Sequence, residues 1–413
     1  MKTAQSGGNS SNGGASNFGV ALPQVKKYQR NDGEPKVKMS KLGIQVPGSS
    51  VLPAPSVPSL SANPKNLLNP VVGMSCPIVV GEFSLDSTRE PKLGRAGVRY
   101  ICEKFITAGN REPKVHLNLS ANYSTFISSK HDEMINVILR WIQKMCPPKS
   151  NLKKVLHEAD FLIWRGTLTR LGVSPFDVVK NGTGIKIACC KFKGVIFICE
   201  YETESKRRVE SGQGDKGKMM SYWGHKFEQY ITSENLNGMP NTSEPVSEFN
   251  EFCAMFKTEI GPKNESFRVL YGAEVDCINP KGEYLEIKTQ FNEVGFGHFF
   301  DSKAMKWWLQ SYLANIKTLV IGLRDQEGFV NRVELLPVDQ LPKKWSKTWQ
   351  YDKCISFIHV FLKYVSQTLS TLPDDMMLIA ERLPTSYEFR FDVVNQNEQP
   401  YDFLTKEFSE HFD

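Results

Sequence analysis

The sequence predicts an α+β domain built around a central sheet that is largely antiparallel or mixed. Segments with helical spacing of apolar residues alternate along the chain with short strand-like runs that come in hairpin pairs. The composition, 40% hydrophobic and 23% charged over 413 residues, is that of an ordinary globular protein. No internal repeat is visible. Hairpins interleaved with helices are typical of an α+β domain.

The N-terminal part of the chain has a different composition. Residues 1–17 are rich in glycine, serine and asparagine, and residues 18–70 carry prolines and scattered lysines with few aromatic residues. Such a segment buries too little apolar surface to fold by itself. We therefore expect residues 1–70 to be a disordered, low-complexity tail, and residues 71–413 to form the folded domain.

The first half of the domain carries three local predictions. The run DEMINVILRWIQKM, 132–145, has isoleucine and leucine at helical spacing and predicts a helix. The run KIACCKFKGVIFICEYE, 186–202, predicts two strands around a turn at 192–194. The glycine-rich run GQGDKGK, 212–218, predicts a flexible loop.

The second half of the domain has the clearest periodicity. Its helical segments show one apolar and aromatic side, and its late strand alternates apolar and polar residues. The predicted elements are helices at 218–232, 301–316 and 353–369, and strands at 318–324, 331–336 and 387–394. An acidic hairpin at 272–290 lies between the first two of these helices and carries the candidate chemistry.

Charge and cysteine content exclude several classes of protein. The net charge of +6 is compatible with a polyanionic partner without requiring one. The nine cysteines include no C-x-x-C pair, which disfavours a disulfide framework and a zinc site. No apolar leader or run of the ~20 residues that spans a bilayer is visible, so we expect a nuclear or cytoplasmic protein. The chain also lacks the G-x-x-x-x-G-K-[ST] pattern of P-loop nucleotide hydrolases.

The acidic hairpin, GAEVDCINPKGEYLEIKTQ, places three carboxylates and a lysine on two strands. Side chains alternate along a strand, so Glu274 and Asp276 share one face, as do Glu286 and Lys288. A turn centred on the Pro-Lys-Gly run sets Asp276 opposite Glu286, where carboxylates ~5 Å apart repel each other. Mg²⁺ or Mn²⁺ would relieve that repulsion, because hard cations prefer oxygen ligands. The lysine would then orient a water molecule or stabilise charge on a phosphoryl oxygen.

Each of these residues also has an ordinary interpretation. A solvent-facing hairpin with a Glu–Lys pair requires no metal and gains little from the pair. Arg165 ends a buried segment, where it either clamps a phosphate or forms a structural ion pair. Glu228 stands on an otherwise apolar helix and needs a partner. On the same helix, His225 is expected to pack or hydrogen-bond locally, and Gln310 belongs to a polar stripe typical of a solvated helix face.

Taken in order, the motifs of the chain resemble those of the DXO family of RNA 5′-end processing enzymes. The segments that carry the resemblance are GEFSLD (81–86), WRGTLTRL (164–171), YWGHKFEQY (222–230), GAEVDC (272–277), YLEIKTQ (284–290), KWWLQSYL (306–313) and IGLRDQEGFV (321–330). Within them, Asp276 and the run Glu286-Ile287-Lys288 resemble the D…(D/E)-x-K signature of metal-dependent nucleases. The resemblance spans roughly residues 75–405.

The resemblance implies a single domain of two packed β-sheets, one mixed and one antiparallel, with helices around them and the active site in a pocket between them. It also implies a divalent metal cofactor, Mg²⁺ or Mn²⁺, as two bound ions. The metal ligands it assigns are the carboxylates of Glu228, Asp276 and Glu286 and the backbone carbonyl of Ile287. Glu274 acts through a water molecule on the metal or as a further ligand.

Three residues take substrate roles by the same resemblance. Lys288 and Gln310 position the scissile phosphate or the attacking water, and Arg165 contacts the 5′ end of the RNA. Two departures are visible: His225 stands where the family usually has an aromatic residue, and the segment 288–306 is short. These departures affect the shape of the pocket and leave every assigned ligand in place.

The function implied is a metal-dependent hydrolase of RNA 5′ ends in RNA quality control. Such enzymes remove incomplete or NAD caps, release pyrophosphate from 5′-triphosphate RNA, or degrade RNA 5′→3′. The expected partner is single-stranded RNA with an accessible 5′ end, bound with weak sequence preference. The alternative is a non-catalytic or weakly catalytic partner that stabilises a 5′→3′ exoribonuclease, since some relatives bind one. A DNA nuclease with the same hairpin and a hydrolase of free dinucleotides are two further hypotheses.

Overall fold

The computed structural model describes residues 57–67, 73–106, 115–128, 134–180, 182–297 and 300–413. These ranges fold into two β-sheets with helices around them, which confirms the predicted α+β class. None of the helices in these ranges combines the length and the apolar character needed to cross a membrane.

The strands and helices alternate along the whole domain. The strands are β1 Leu60–Ser61, β2 Ile78–Leu85, β3 Lys92–Leu93, β4 Tyr100–Ile101, β5 Leu117–Asn118, β6 Phe161–Trp164, β7 Ile185–Phe192, β8 Val195–Tyr201, β9 Thr232–Ser233, β10 Glu251–Ile260, β11 Phe267–Glu274, β12 Cys277–Ile278, β13 Tyr284–Phe291, β14 Thr318–Arg324, β15 Phe329–Pro337, β16 Met376–Arg382 and β17 Glu388–Asn395. The α-helices are α1 Asn136–Met145, α2 Leu152–Val155, α3 Arg165–Val173, α4 Glu204–Ser211, α5 Asp215–Ile231, α6 Phe300–Leu313, α7 Gln340–Lys344, α8 Tyr351–Ser370 and α9 Lys406–His411.

The chain passes several times between the two sheets, so neither sheet is built from consecutive strands alone. The ten-stranded sheet has the order β1-β17-β16-β7-β8-β6-β11-β10-β2-β3, and β6 lies parallel to both β8 and β11. The seven-stranded sheet has the order β5-β15-β14-β13-β12-β4-β9, and it contains the parallel pairs β13–β14 and β12–β4. Both sheets are therefore mixed, and the expectation that one would be antiparallel is wrong.

Three apolar clusters arrange these elements in layers. The largest cluster joins one face of the ten-stranded sheet to α3, α6, α8 and the seven-stranded sheet. A second cluster covers the other face of the ten-stranded sheet with α1 and α9, and a third packs α5 on the outer face of the seven-stranded sheet. Close approach of α5 depends on Gly322, where an added Cβ would lie 2.6 Å from the ring of Phe227. These layers hold α5 against the sheet that contains β13, the second strand of the acidic hairpin.

Two local predictions differ from the structure. Residues 57–67, which lie within the predicted tail, pack on the domain: β1 pairs with β17, and Ala62 and Leu67 are buried. The tail prediction is wrong for this segment because its few apolar residues find a partner strand 329 residues away, at Phe389 for Leu60. Residues 1–56 and 68–72 lie outside the described residues. Helix α5 begins at Asp215, inside the predicted 212–218 loop, because the glycine-rich run continues without a break into the aromatic helix.

Candidate active site

The acidic hairpin of the sequence is divided between the two sheets. Strand β11 ends at Glu274, which pairs with Cys253 of β10 in the ten-stranded sheet. Three residues later Cys277 begins β12, which pairs with β13 in the seven-stranded sheet. The chain therefore crosses from one sheet to the other at Asp276 and the residue before it. Both acidic side chains of the first strand lie at this crossing.

Glu286 is the buried centre of the cluster. The β12–β13 register sets it opposite Asp276, as the turn position predicted. Glu286 is 2% exposed, and its carboxylate accepts hydrogen bonds from Nη1 of Arg165 at 3.0 Å and from Nζ of Lys288 at 2.6 Å. Burial raises the pKa of Glu286, but Lys288 and Arg165 outweigh it and lower that pKa to about 2. The carboxylate is therefore ionised between two cations.

Arg165 reaches the cluster because β6 and β11 are parallel neighbours. Trp164, the last residue of β6, pairs with Gly272 of β11, so both strands deliver their next residues to the same edge of the sheet. Arg165 begins α3 at that edge and is 8% exposed. Burial lowers its pKa, but the neighbouring carboxylates, Glu286 first, outweigh burial and raise it. Its contact with an RNA 5′ end stays a prediction.

Asp276 and Glu274 are the two carboxylates of the cluster whose pKa values are raised. Oδ2 of Asp276 accepts a hydrogen bond of 2.6 Å from the backbone N–H of Ile287. Burial, and then the charge of Glu286, raise the pKa of Asp276 well above its usual range. Glu274 is exposed on one side and faces other acids on the opposite side. Burial and these acids, Glu251 first, raise the pKa of Glu274 to about 7.

Helix α5 supplies the remaining predicted carboxylate. Glu228 lies on α5 with its side chain 32% exposed, and Nδ1 of His225 lies 3.8 Å from its Oε2. The other ring nitrogen of His225, Nε2, lies 3.5 Å from Oε1 of Glu248. Burial lowers the pKa of His225, but Glu228, Glu274 and Glu248 outweigh it and raise that pKa to about 9. The imidazole is therefore a cation between two glutamates at neutral pH.

The substrate-side residues extend along β13 and α6. Glu286, Lys288 and Gln290 alternate onto one face of β13, and Oε1 of Gln290 accepts a hydrogen bond of 2.9 Å from Nζ of Lys303 on α6. Gln310, seven residues later on α6, is half-buried and makes no hydrogen bond to another described residue. Its predicted role in holding phosphate or water stays a prediction.

A cavity of about 130 Å³ opens beside Glu228 and Glu274. Its lining includes Arg99, His225 and the acidic segment 244–251. A larger cavity, about 820 Å³, lies on the opposite side of α6 around Trp308, Tyr312 and Tyr351 and includes none of the predicted site residues. Of the predicted site residues, the smaller cavity is lined by Glu228 and Glu274.

The chemistry of the side chains fits the predicted metal site, but their present positions do not form such a site. The four carboxylates offer only oxygen ligands. Burial, and then the charges of neighbouring acids, raise the pKa values of Glu274 and Asp276, and a hard divalent cation would stabilise their ionised forms. Within the described ranges, however, no group of three or more His, Cys, Asp or Glu side chains is arranged to hold a metal ion. The contacts give the reason: both oxygens of Glu286 face cations, and one oxygen of Asp276 faces a backbone N–H. Binding of a metal would therefore require Glu286 and Asp276 to exchange these contacts for contacts with the ion.

The structure brings most of the predicted site together and adds residues that the sequence did not indicate. Arg165, Lys288 and the predicted carboxylates interact electrostatically, whereas Gln310 contacts none of them through a hydrogen bond. Glu248 and Glu251 were not predicted, because contacts with distant segments place them: Glu251 pairs with Leu85 of β2, and the N–H of Glu248 donates to the carbonyl of Ile127. The acids of the run SEFNEF were the available signal, but a local acidic run by itself fits a solvated loop equally well.

The chain is similar in sequence to several known proteins. A family model described as RAI1 like PD-(D/E)XK nuclease matches residues 75–410. Decapping nuclease dom-3 of Caenorhabditis elegans is 34% identical over 339 residues, which cover 81% of this chain and 84% of that relative. The decapping and exoribonuclease protein of Rattus norvegicus is 27% identical over 340 residues, which cover 78% and 82%.

A crystal structure of Candida albicans Rai1 in complex with pU5 and Mn²⁺ is similar to this fold. The TM-score is 0.69 at 16% sequence identity, over 86% of this chain and 98% of that chain. At this identity the likeness is one of fold.

Proposed function

The chain belongs to the RAI1 like PD-(D/E)XK nuclease family, and we propose from this premise that it is a divalent-metal-dependent hydrolase of RNA 5′ ends. Its reactions are removal of incomplete or NAD caps, release of pyrophosphate from 5′-triphosphate ends, and 5′→3′ degradation. The observation that carries the proposal is the crossing between the sheets, where Glu286 lies between Arg165 and Lys288 beside two further carboxylates. Carboxylates next to buried cations are the combination that metal-assisted phosphoryl transfer uses.

Different residues of this chain would contact the phosphate and the attacking water. Arg165 is buried and Lys288 is half-buried, and both lie within 3.0 Å of Glu286. Either cation can therefore turn a donor towards a phosphate oxygen at the same point. Glu274, with a pKa near neutrality and one side open to solvent, can accept the proton of an attacking water. Gln310 would complete the phosphate contacts from α6.

Glu228, Asp276 and Glu286, with the carbonyl of Ile287, would hold the metal. A bound divalent cation supplies Lewis-acid polarisation of the phosphorus centre and a more acidic water. We propose two ions, because the cluster carries more carboxylate oxygens than one cation can use, and because the charges of Glu286, Glu228 and Glu274 all act unfavourably on the ionised Asp276.

The experiment that tests the function uses RNA with an unmethylated 5′ cap. Purified protein with Mn²⁺ is expected to remove the cap, and a chelator is expected to stop the reaction. Asp276→Asn should lose at least the ~100-fold in rate that loss of an outer partner of a metal site reaches. A capless 5′-phosphorylated DNA of the same sequence serves as the control. Full activity of Asp276→Asn, or equal activity on the DNA, would contradict the proposal.

Two expectations that rest on the resemblance are also proposals. The first is that a 5′→3′ exoribonuclease binds this protein, which co-elution of the two purified proteins would test. The second is that the protein works in the nucleus, the cytoplasm or both, which imaging of a fluorescent fusion in its own cells would test.

A further inference from the structure

We propose that His225 is a positioning residue for this reaction, which holds the carboxylate of Glu228 through Nδ1 and is itself anchored through Nε2 to Glu248. The inference rests on the proposed function, because the position of Glu228 matters only if the acidic cluster binds a divalent ion. His225 would act on the metal site through Glu228 and would touch neither substrate nor ion.

The geometry at His225 is that of a bridge. His225 and Glu228 are separated by one turn of α5 and share a helix face. The two ring nitrogens lie 3.8 Å from Glu228 and 3.5 Å from Glu248, one carboxylate for each nitrogen. The ring of Phe126 stacks against the imidazole at a centroid distance of 6.0 Å. A ring flip would exchange the nitrogens for carbons, so both contacts favour this orientation.

The far end of the bridge is fixed to the backbone of another segment. The N–H of Glu248 donates to the carbonyl of Ile127 at 3.0 Å, and its Oε2 accepts from Oγ of Ser128 at 3.2 Å. Ser247 and Ile127 also form a parallel β-bridge. Glu248 therefore provides a rigid anchor outside α5.

The other end of the bridge is the carboxylate of Glu228, whose position is less restricted. The side chain of Glu228 is 32% exposed and projects into the cavity that Glu274 also lines. Within the described part of the chain, its carboxylate accepts no hydrogen bond, and His225 is its ion-pair partner. A glutamate has several rotatable bonds, and freezing them when a metal binds lowers the affinity. Contact with the anchored imidazole restricts those rotations in advance, as outer partners of metal ligands generally do.

Three substitutions separate the two halves of the bridge. His225→Phe keeps a ring against Phe126 and removes both nitrogens. His225→Asn places an amide nitrogen near the position of Nδ1, and His225→Gln places one near the position of Nε2. The measurements are Mn²⁺ affinity by calorimetric titration of the full chain without RNA, and the metal and RNA dependence of cap removal. His116→Phe is the matched control, because its ring stacks on Phe329 at 4.6 Å and its Nδ1 contacts Asn331, outside the acidic cluster.

The bridge predicts a specific order among the variants. His225→Phe and His225→Gln should weaken Mn²⁺ binding about 10-fold, the lower end for outer partners of a metal ligand, whereas His225→Asn should stay close to the wild type. The half-saturating Mn²⁺ concentration for cap removal should rise in the same order, with little change in kcat at saturating metal. The His116→Phe control should match the wild type in both measurements.

Several results would overturn the inference. Equal weakening in all three His225 variants would mean a packing role, and unchanged or tighter Mn²⁺ binding in His225→Phe would mean that His225 is only a counter-charge. Either result, combined with normal metal-dependent cap removal by the wild type, would leave the proposed function standing. A wild-type protein that binds no Mn²⁺ and removes no cap would refute the proposed function together with this inference.

Discussion

Replacing Glu286 with glutamine is expected to destabilise the protein, although the residue belongs to a cluster of acids. Removing one of several neighbouring negative charges would ordinarily relieve repulsion. Glu286, however, faces Arg165 and Lys288 at 3.0 and 2.6 Å, and only 2% of it is exposed. Glutamine at this position leaves the buried Arg165 and the half-buried Lys288 without their nearest counter-charge. Asp276→Asn should have the opposite effect, because the amide oxygen still accepts from Ile287 while the repulsion disappears.

The contacts set the size of this effect. Removing one partner of a buried ion pair costs about 3–5 kcal/mol. Because Asp276 and Glu274 still attract Arg165, we expect the Glu286→Gln loss at about 2–3 kcal/mol, below that range. Asp276→Asn should raise the free energy of unfolding near neutral pH, because burial and the charge of Glu286 disfavour the ionised carboxylate that the amide replaces.

Urea unfolding near neutral pH, without divalent ions, measures both changes. The midpoint should fall for Glu286→Gln and rise for Asp276→Asn, with similar slopes, and both variants should be inactive. A double-mutant cycle of Arg165→Met with Glu286→Gln should show that the combined loss is smaller than the sum. Additive losses, or a Glu286→Gln protein as stable as the wild type, would refute the ion-pair argument.

Three further predictions follow from the same contacts. Glu274 has a pKa of about 7 in the folded protein, against an ordinary value of 4.5. Folding therefore favours the protonated form, and this contribution to the stability of the protein is complete below pH 4.5 and is lost as the pH rises to 7. Glu274→Gln should therefore match the wild type in thermal midpoint at low pH and exceed it above neutrality; equal midpoints at both would contradict the shift. Mn²⁺ at ~100 times its Kd should stabilise the wild type by about 2.7 kcal/mol in thermal unfolding, and the gain should vanish in Asp276→Asn. Gly322→Ala should cost about 1–3 kcal/mol in urea unfolding, because its Cβ would meet Phe227 at 2.6 Å, and a neutral result would show that α5 can move away.

Local patterns predicted much of the fold. Strand β14 occupies the predicted 318–324, and the helices α6 and α8 lie within a few residues of their predicted bounds. The pairing of Asp276 with Glu286 was also predictable, because side-chain alternation and turn position are local properties. These elements required no knowledge of distant contacts.

Contacts between distant segments were not predictable from the residues alone. The sequence treats 272–290 as one hairpin, whereas Glu274 belongs to the ten-stranded sheet through β10 and β6. Arg165 meets Glu286 across 121 residues, and local composition could not distinguish this pair from a surface arginine and a surface acid. The assignment of roles to Arg165 and Gln310 came from the family resemblance, and those roles stay predictions. The number of parallel pairs in the second sheet also depends on contacts that no local pattern records.

The central claim is that the carboxylates at the sheet crossing form a metal-dependent centre for RNA 5′ ends. One short RNA prepared with monophosphate, triphosphate, unmethylated-cap and NAD 5′ ends tests this claim directly. Each form is incubated with Mn²⁺, with Mg²⁺ or with a chelator, beside the Asp276→Asn protein. We predict metal-dependent product from at least one end, absent with the chelator and with Asp276→Asn. RNA that binds but yields no product from any end, under any metal, would contradict the claim and favour a non-catalytic binding role.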